Sequence, residues 1–152
     1  MKNLIFLLAG MIIFLGCGPK ETTEKETKPQ TTENINPMAQ QEAVESANAW
    51  LALIDSEKYA ESWDEAAQIF QNSISKEEWE TTVKNVRANF GKYLEREIKS
   101  TTFTKSLPGA PDGEYVVIQF ETKFEKKKNA VETITPVKED DGSWRVSGYF
   151  IK

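Results

Sequence analysis

From Pro37 to Phe90 apolar side chains recur every third or fourth residue, and beyond Tyr93 they fall into short runs separated by turn residues. A helical period followed by strand-length segments makes residues 37–152 an α+β domain, helices first and sheet second. This stretch holds all four tryptophans and six of the eight phenylalanines, enough to build a core.

Asn36-Pro37 offers an N-cap followed by proline at the first helical position. Ala43, Ala47, Trp50, Leu51 and Ile54 then mark one face of a first helix. Tyr59, Trp63, Ala66, Ala67 and Phe70 mark a second. Ser75-Lys76-Glu77-Glu78 reads as a capping box opening a third, with Trp79, Val83, Val86 and Phe90 as its face and Gly91 as its stop. Four strands follow, over residues 93–103, 115–124, 130–137 and 144–151. The expected fold is three N-terminal helices packed on a curved four-stranded antiparallel sheet.

Asp141-Gly142 suits a two-residue hairpin turn, which sets Val137 opposite Val146 and Thr133 opposite Phe150. With Phe124 opposite Val131, one face gathers Val116, Ile118, Phe120, Phe124, Val131, Val137, Trp144, Val146 and Phe150 as core. The same register sets Lys123 opposite Glu132. It turns Tyr115, Ile134 and Tyr149 outward as a candidate interaction surface, with Gly148 beside Tyr149 leaving room for a ligand.

The N-terminus carries a different message. Lys2 precedes an apolar run from Leu4 to Leu15, closed by Gly16-Cys17. A basic start, about a dozen apolar residues and a small residue before the cut form a secretory signal over residues 1–16. The run is shorter than the ~20 residues that span a bilayer. Phe14-Leu15-Gly16-Cys17 reads as a lipobox, with the Cys17 thiol as the point of lipid attachment. Gly18 in place of an aspartate argues against inner-membrane retention. The expected location is therefore the bacterial envelope, in the outer membrane and facing the periplasm. Residues 17–36 hold five Thr, four Glu and three Lys with Ile35 as the single aliphatic, a composition expected of a disordered tether.

Composition excludes more chemistry than it suggests. The chain has no histidine and only one cysteine. Serine–histidine catalysis and the usual zinc sites are thus ruled out, and a lipidated Cys17 leaves no free thiol. Net charge is −5 with no basic stripe, which argues against nucleic acid. Asp64-Glu65, Glu77-Glu78 and Glu139-Asp140-Asp141 read as solvated helix faces and hairpin chemistry. Lys126-Lys127-Lys128 reads as a solvated hairpin tip. Arg87 and Arg96 could anchor an acidic ligand, but surface ion pairs are the expected role. No cofactor or metal is expected.

Several patches, in order, resemble a family of small exported bacterial proteins catalogued as domain of unknown function 4019. They are Ala49-Trp50-Leu51-Ala52-Leu53-Ile54-Asp55, Tyr59 with Ser62-Trp63, Trp79 and Arg87, the run Leu107 to Tyr115, and the ending Asp141 to Tyr149. The resemblance implies no activity or catalytic residue. In element order alone the chain is similar to cystatin-like and nuclear-transport-factor-2-like α+β folds. The function expected is an envelope lipoprotein acting as a non-enzymatic binding or interaction module, whose partner is an envelope protein or small ligand. The alternative is an enzyme with a carboxylate- and tyrosine-lined pocket between helices and sheet.

Overall fold

Four helices precede a four-stranded meander in the computed structural model, which describes residues 36–152. The signal segment, Cys17 and residues 17–35 lie outside the described residues. The helices are α1 (Pro37–Asp55), α2 (Tyr59–Asp64), α3 (Gln68–Ser73) and α4 (Lys76–Phe90). The strands are β1 (Tyr93–Thr104), β2 (Tyr115–Phe124), β3 (Ala130–Lys138) and β4 (Trp144–Ile151), all antiparallel in the order β1-β2-β3-β4.

α1 begins where the sequence places it, with the Asn36 side chain accepting from the Ala39 backbone N–H. It runs across all four strands and buries Ala43, Ala47, Trp50, Leu51 and Ile54. Its end is less expected. Lys58 N donates to Leu53 O and Glu57 N to Ile54 O, the paired bonds of a Schellman motif. Glu57 occupies the left-handed position at φ 59°, where glycine is usual.

The expected second helix is two helices. Between them Ala67 is extended at φ −61°, ψ 152°, and its N–H donates to Val146 O of β4 at 2.9 Å. The main chain leaves its helical ladder there to bond the sheet, so the count is four helices and not three. Around this break Trp50, Phe70, Trp79 and Tyr149 form a ring cluster with neighbouring centroids 4.9–6.4 Å apart. Ser62, fully buried, accepts from the indole N–H of Trp50 through its carbonyl and of Trp79 through its hydroxyl.

β2 faces the helices as expected, through Val116, Ile118, Phe120 and Phe124. β3 does not. Its register pairs Ile118 with Ile134 and Phe120 with Glu132, so Ala130, Glu132, Ile134 and Pro136 point inward and Val131 outward. Lys123 meets Glu95 instead of Glu132. At the next ladder Thr133 does face Phe150, but the register slips between Thr135 and Pro136, leaving Ser147 as an extra residue. This bulge lets Trp144 and Val146 face the core while turning Tyr149 inward and Phe150 out.

The outward surface expected at Tyr115, Ile134 and Tyr149 is therefore corrected. Ile134 is completely buried, and Tyr149 is half-buried against the core. Tyr115 does lie on the far side of β2, but the 105–114 loop folds over it. Its hydroxyl donates to Pro111 O, and it packs with Ala67 and Val137. The β3–β4 turn also differs, because of its two central residues only Gly142 has positive φ. Gly142 N donates to Glu139 O and Glu139 N to Ser143 O, a three-residue loop closed by a glycine bulge.

Candidate functional site

Six elements converge on one buried ionic cluster. Asp55 is the last residue of α1, held at its place by the Schellman turn. Arg87 lies on α4, one helical step beyond Trp79 and Val83 on the buried face. Arg96 lies on β1 opposite Thr122 of β2, and Glu132 lies on β3 next to them on the inner face of the sheet. Tyr149 reaches in from β4 because of the bulge.

Glu132 has no exposed surface, and both of its oxygens are fully used. Oε1 accepts from the Tyr149 hydroxyl at 2.7 Å and from Arg87 Nη1 at 3.4 Å. Oε2 accepts from Thr122 Oγ1 at 2.6 Å and from Arg96 Nε at 2.7 Å. Asp55 receives Arg87 Nη2 at 2.7 Å, and Arg96 through Nη1 at 2.9 Å and Nη2 at 3.2 Å. Two guanidiniums thus balance two carboxylates. Each guanidinium also stacks on a ring, Arg87 over Phe124 at 4.5 Å and Arg96 over Tyr93 at 4.4 Å.

Electrostatics follow from this geometry. Burial alone would lower both arginine pKa values. The bonds to Asp55 and Glu132 and the charges of these carboxylates outweigh it, and both arginine pKa values rise. Burial raises the Tyr149 pKa far above its ordinary value, and the neighbouring Glu132 charge adds to it. The phenol is therefore locked as a donor and is unfit as a base or nucleophile near neutral pH. No buried side-chain nitrogen or oxygen among the described residues lacks a partner.

A cleft of about 330 Å³ opens onto the Asp55 and Arg87 end of the cluster, walled by Tyr59 and Tyr93. Burial raises the Tyr59 pKa, with Glu57 adding to it. A larger groove of about 660 Å³ runs between α1 and the β4 start, over Ala49, Leu53 and Trp144. No group of three or more His, Cys, Asp or Glu side chains suited to a metal occurs among the described residues.

Of the residues singled out from sequence, Arg87 and Arg96 meet here, but as buried partners of Asp55 and Glu132 and not as surface pairs. Tyr149 joins them, whereas Tyr115 and Ile134 do not. The Glu77-Glu78 pair stays in the first turn of α4, and the Lys126–Lys128 hairpin tip is exposed. Asp141 is held to a pKa of about 2, first by the Ser143 hydroxyl and backbone N–H and then by Arg145.

A family model described as protein of unknown function (DUF4019) matches residues 46–149. The chain belongs to the DUF4019 family. The match takes in α1 from Ser46 through Tyr149 of β4, so every member of the ionic cluster falls within the DUF4019 region. No curated protein matches the chain. None of the described helices is long and apolar enough to cross a membrane.

Proposed function

We propose that this DUF4019 protein is a lipoprotein of the bacterial cell envelope, anchored through acylated Cys17 in the outer membrane and facing the periplasm, where it works as a non-enzymatic binding or protein-interaction module. The anchor rests on the lipobox read from Phe14-Leu15-Gly16-Cys17. What supports the non-enzymatic reading is the state of the ionic cluster. Its two carboxylates accept seven hydrogen bonds, three at Asp55 and four at Glu132, from two arginines, Thr122 and Tyr149. Groups engaged in that way hold elements together and are not poised to exchange protons with a substrate.

Two measurements test it. Mass spectrometry of membrane-extracted protein should find an acylated N-terminal cysteine, and Cys17→Ala should leave the membrane fraction. Affinity capture from native envelope, run beside a metabolite screen, should recover a binding partner.

One observation favours a second reading, an enzyme with a carboxylate- and tyrosine-lined pocket: Asp55 and Tyr59 both border the 330 Å³ cleft. Under that reading Asp55→Asn abolishes a turnover found in the metabolite screen. Under the first reading no compound in the screen is consumed.

A further inference from the structure

We propose that β1 pairs edge to edge with β1 of a second copy of this chain, joining two sheets into one across a two-fold axis at Ile98. The proposal is independent of the anchor at Cys17 and adds a partner to the binding role.

β1 is twelve residues long and lies at the margin of the sheet, with one side of its backbone facing no other strand among the described residues. An open edge of that length is a template for another strand. The apolar surface is concentrated there too. Of five large apolar side chains exposed among the described residues, three are on β1: Tyr93, Leu94 and Ile98.

The charges on β1 choose the occupant and the register. Glu97 stands opposite Glu121 of β2, and Lys99 forms an ion pair with that same Glu121 at 2.8 Å, so both reach the outer side of the sheet. Glu97 makes no ion pair among the described residues. Antiparallel pairing about Ile98 sets Glu97 of each copy opposite Lys99 of the other, twice by symmetry, and brings the two Ile98 side chains together. Moving the axis by one residue, to Glu97, would instead set the two Glu97 carboxylates face to face. Mixed charge that protects an edge against unrelated strands thus complements a second copy of itself.

The test uses the full chain in detergent micelles. Sedimentation should show a concentration-dependent dimer that Ile98→Lys abolishes. Ile98→Cys should give an oxidant-induced dimer linked through that position. Phe150→Cys, at a still more exposed site on β4, should not, with the parent chain treated alike as control for Cys17. Glu97→Lys and Lys99→Glu should each weaken the dimer about tenfold or more, and the two together should restore it. A monomer at every concentration, equal cross-linking at positions 98 and 150, or a double reversal no tighter than the single ones overturns the proposal. Circular dichroism of each variant separates lost pairing from lost fold.

Discussion

The Tyr149 hydroxyl donates to Glu132 Oε1 at 2.7 Å, tying the last strand to a carboxylate buried beneath α1 and α4. The bond exists only because the β4 bulge reverses the direction of Tyr149 relative to Trp144 and Val146. It gives a tyrosine on a terminal strand a part in holding the helices to the sheet.

Tyr149→Phe keeps the ring among Trp50 and Trp79 but removes one of four hydrogen bonds to Glu132. A bond to a charged group contributes about 1.5–3 kcal/mol, and a loss in that range is expected in a urea titration. A variant as stable as the parent would show that Arg87, Arg96 and Thr122 satisfy the carboxylate unaided.

Alkaline stability should follow the same residue. Its folded pKa lies above the ordinary tyrosine value, so its contribution is complete below about pH 10, where the phenol is protonated in both states. Above that, the unfolded chain releases the proton while the folded chain keeps it, and stability falls as pH rises toward the folded pKa. Tyr149→Phe should flatten this decline in melting temperature between neutral and strongly alkaline buffer. An unchanged slope would assign the decline to other groups.

Removing Glu132 should do more damage than removing an exposed acid. Glu132→Ala leaves two buried guanidiniums facing Asp55 alone, and breaking a buried pair costs about 3–5 kcal/mol. Glu61→Ala removes a carboxylate whose ion pair with Lys58 is half exposed, and it should cost less than about 1 kcal/mol. Paired denaturation curves distinguish the two, and similar losses would contradict a structural role for the cluster.

Backbone conformation predicts opposite outcomes at three turn and strand positions. Glu57→Gly relieves a left-handed residue and should stabilise by roughly 0.5–1 kcal/mol. Gly148→Ala should be neutral or slightly stabilising, because its new Cβ would lie 3.8 Å from the nearest atom, Thr135 Cβ, and its φ is not positive. Gly91→Ala should destabilise, since φ is +76° and the new Cβ would stand 3.1 Å from Glu125 Cβ. Melting temperatures of the three variants provide the check.

Period and capping made most of the elements legible. The start of α1, the Ser75 cap of α4 and the bounds of β2 follow from residues whose local preference agrees with their place in the fold. Register was harder to read, because hydrophobic patterning assigns a negative weight to any charge facing inward. Val131, Val137 and Phe150 make the more apolar face, yet Ala130, Glu132, Ile134 and Pro136 are the residues turned in. That arrangement is favourable only when Arg87 and Arg96, 45 and 36 residues away, supply the countercharges. One signal was present: Arg87 continues the spacing of Trp79 and Val83 along α4, a charge at a core-facing position that demands a buried partner. The break at Ala67 had no local signal at all, since its cause is a carbonyl on β4.

That break makes the two margins of the sheet unequal. Ala67 occupies the Val146 carbonyl, and α3 lies alongside β4, while β1 pairs on its outer flank with no strand among the described residues. A sheet open on both flanks can add neighbours indefinitely and grow into a ribbon. With α3 beside β4, β1 is the flank left for pairing, and two copies joined through β1 use up that edge on both and stop at a dimer. The short interruption between two six-residue helices thus covers the Val146 end of β4 and favours a closed pair over a growing ribbon.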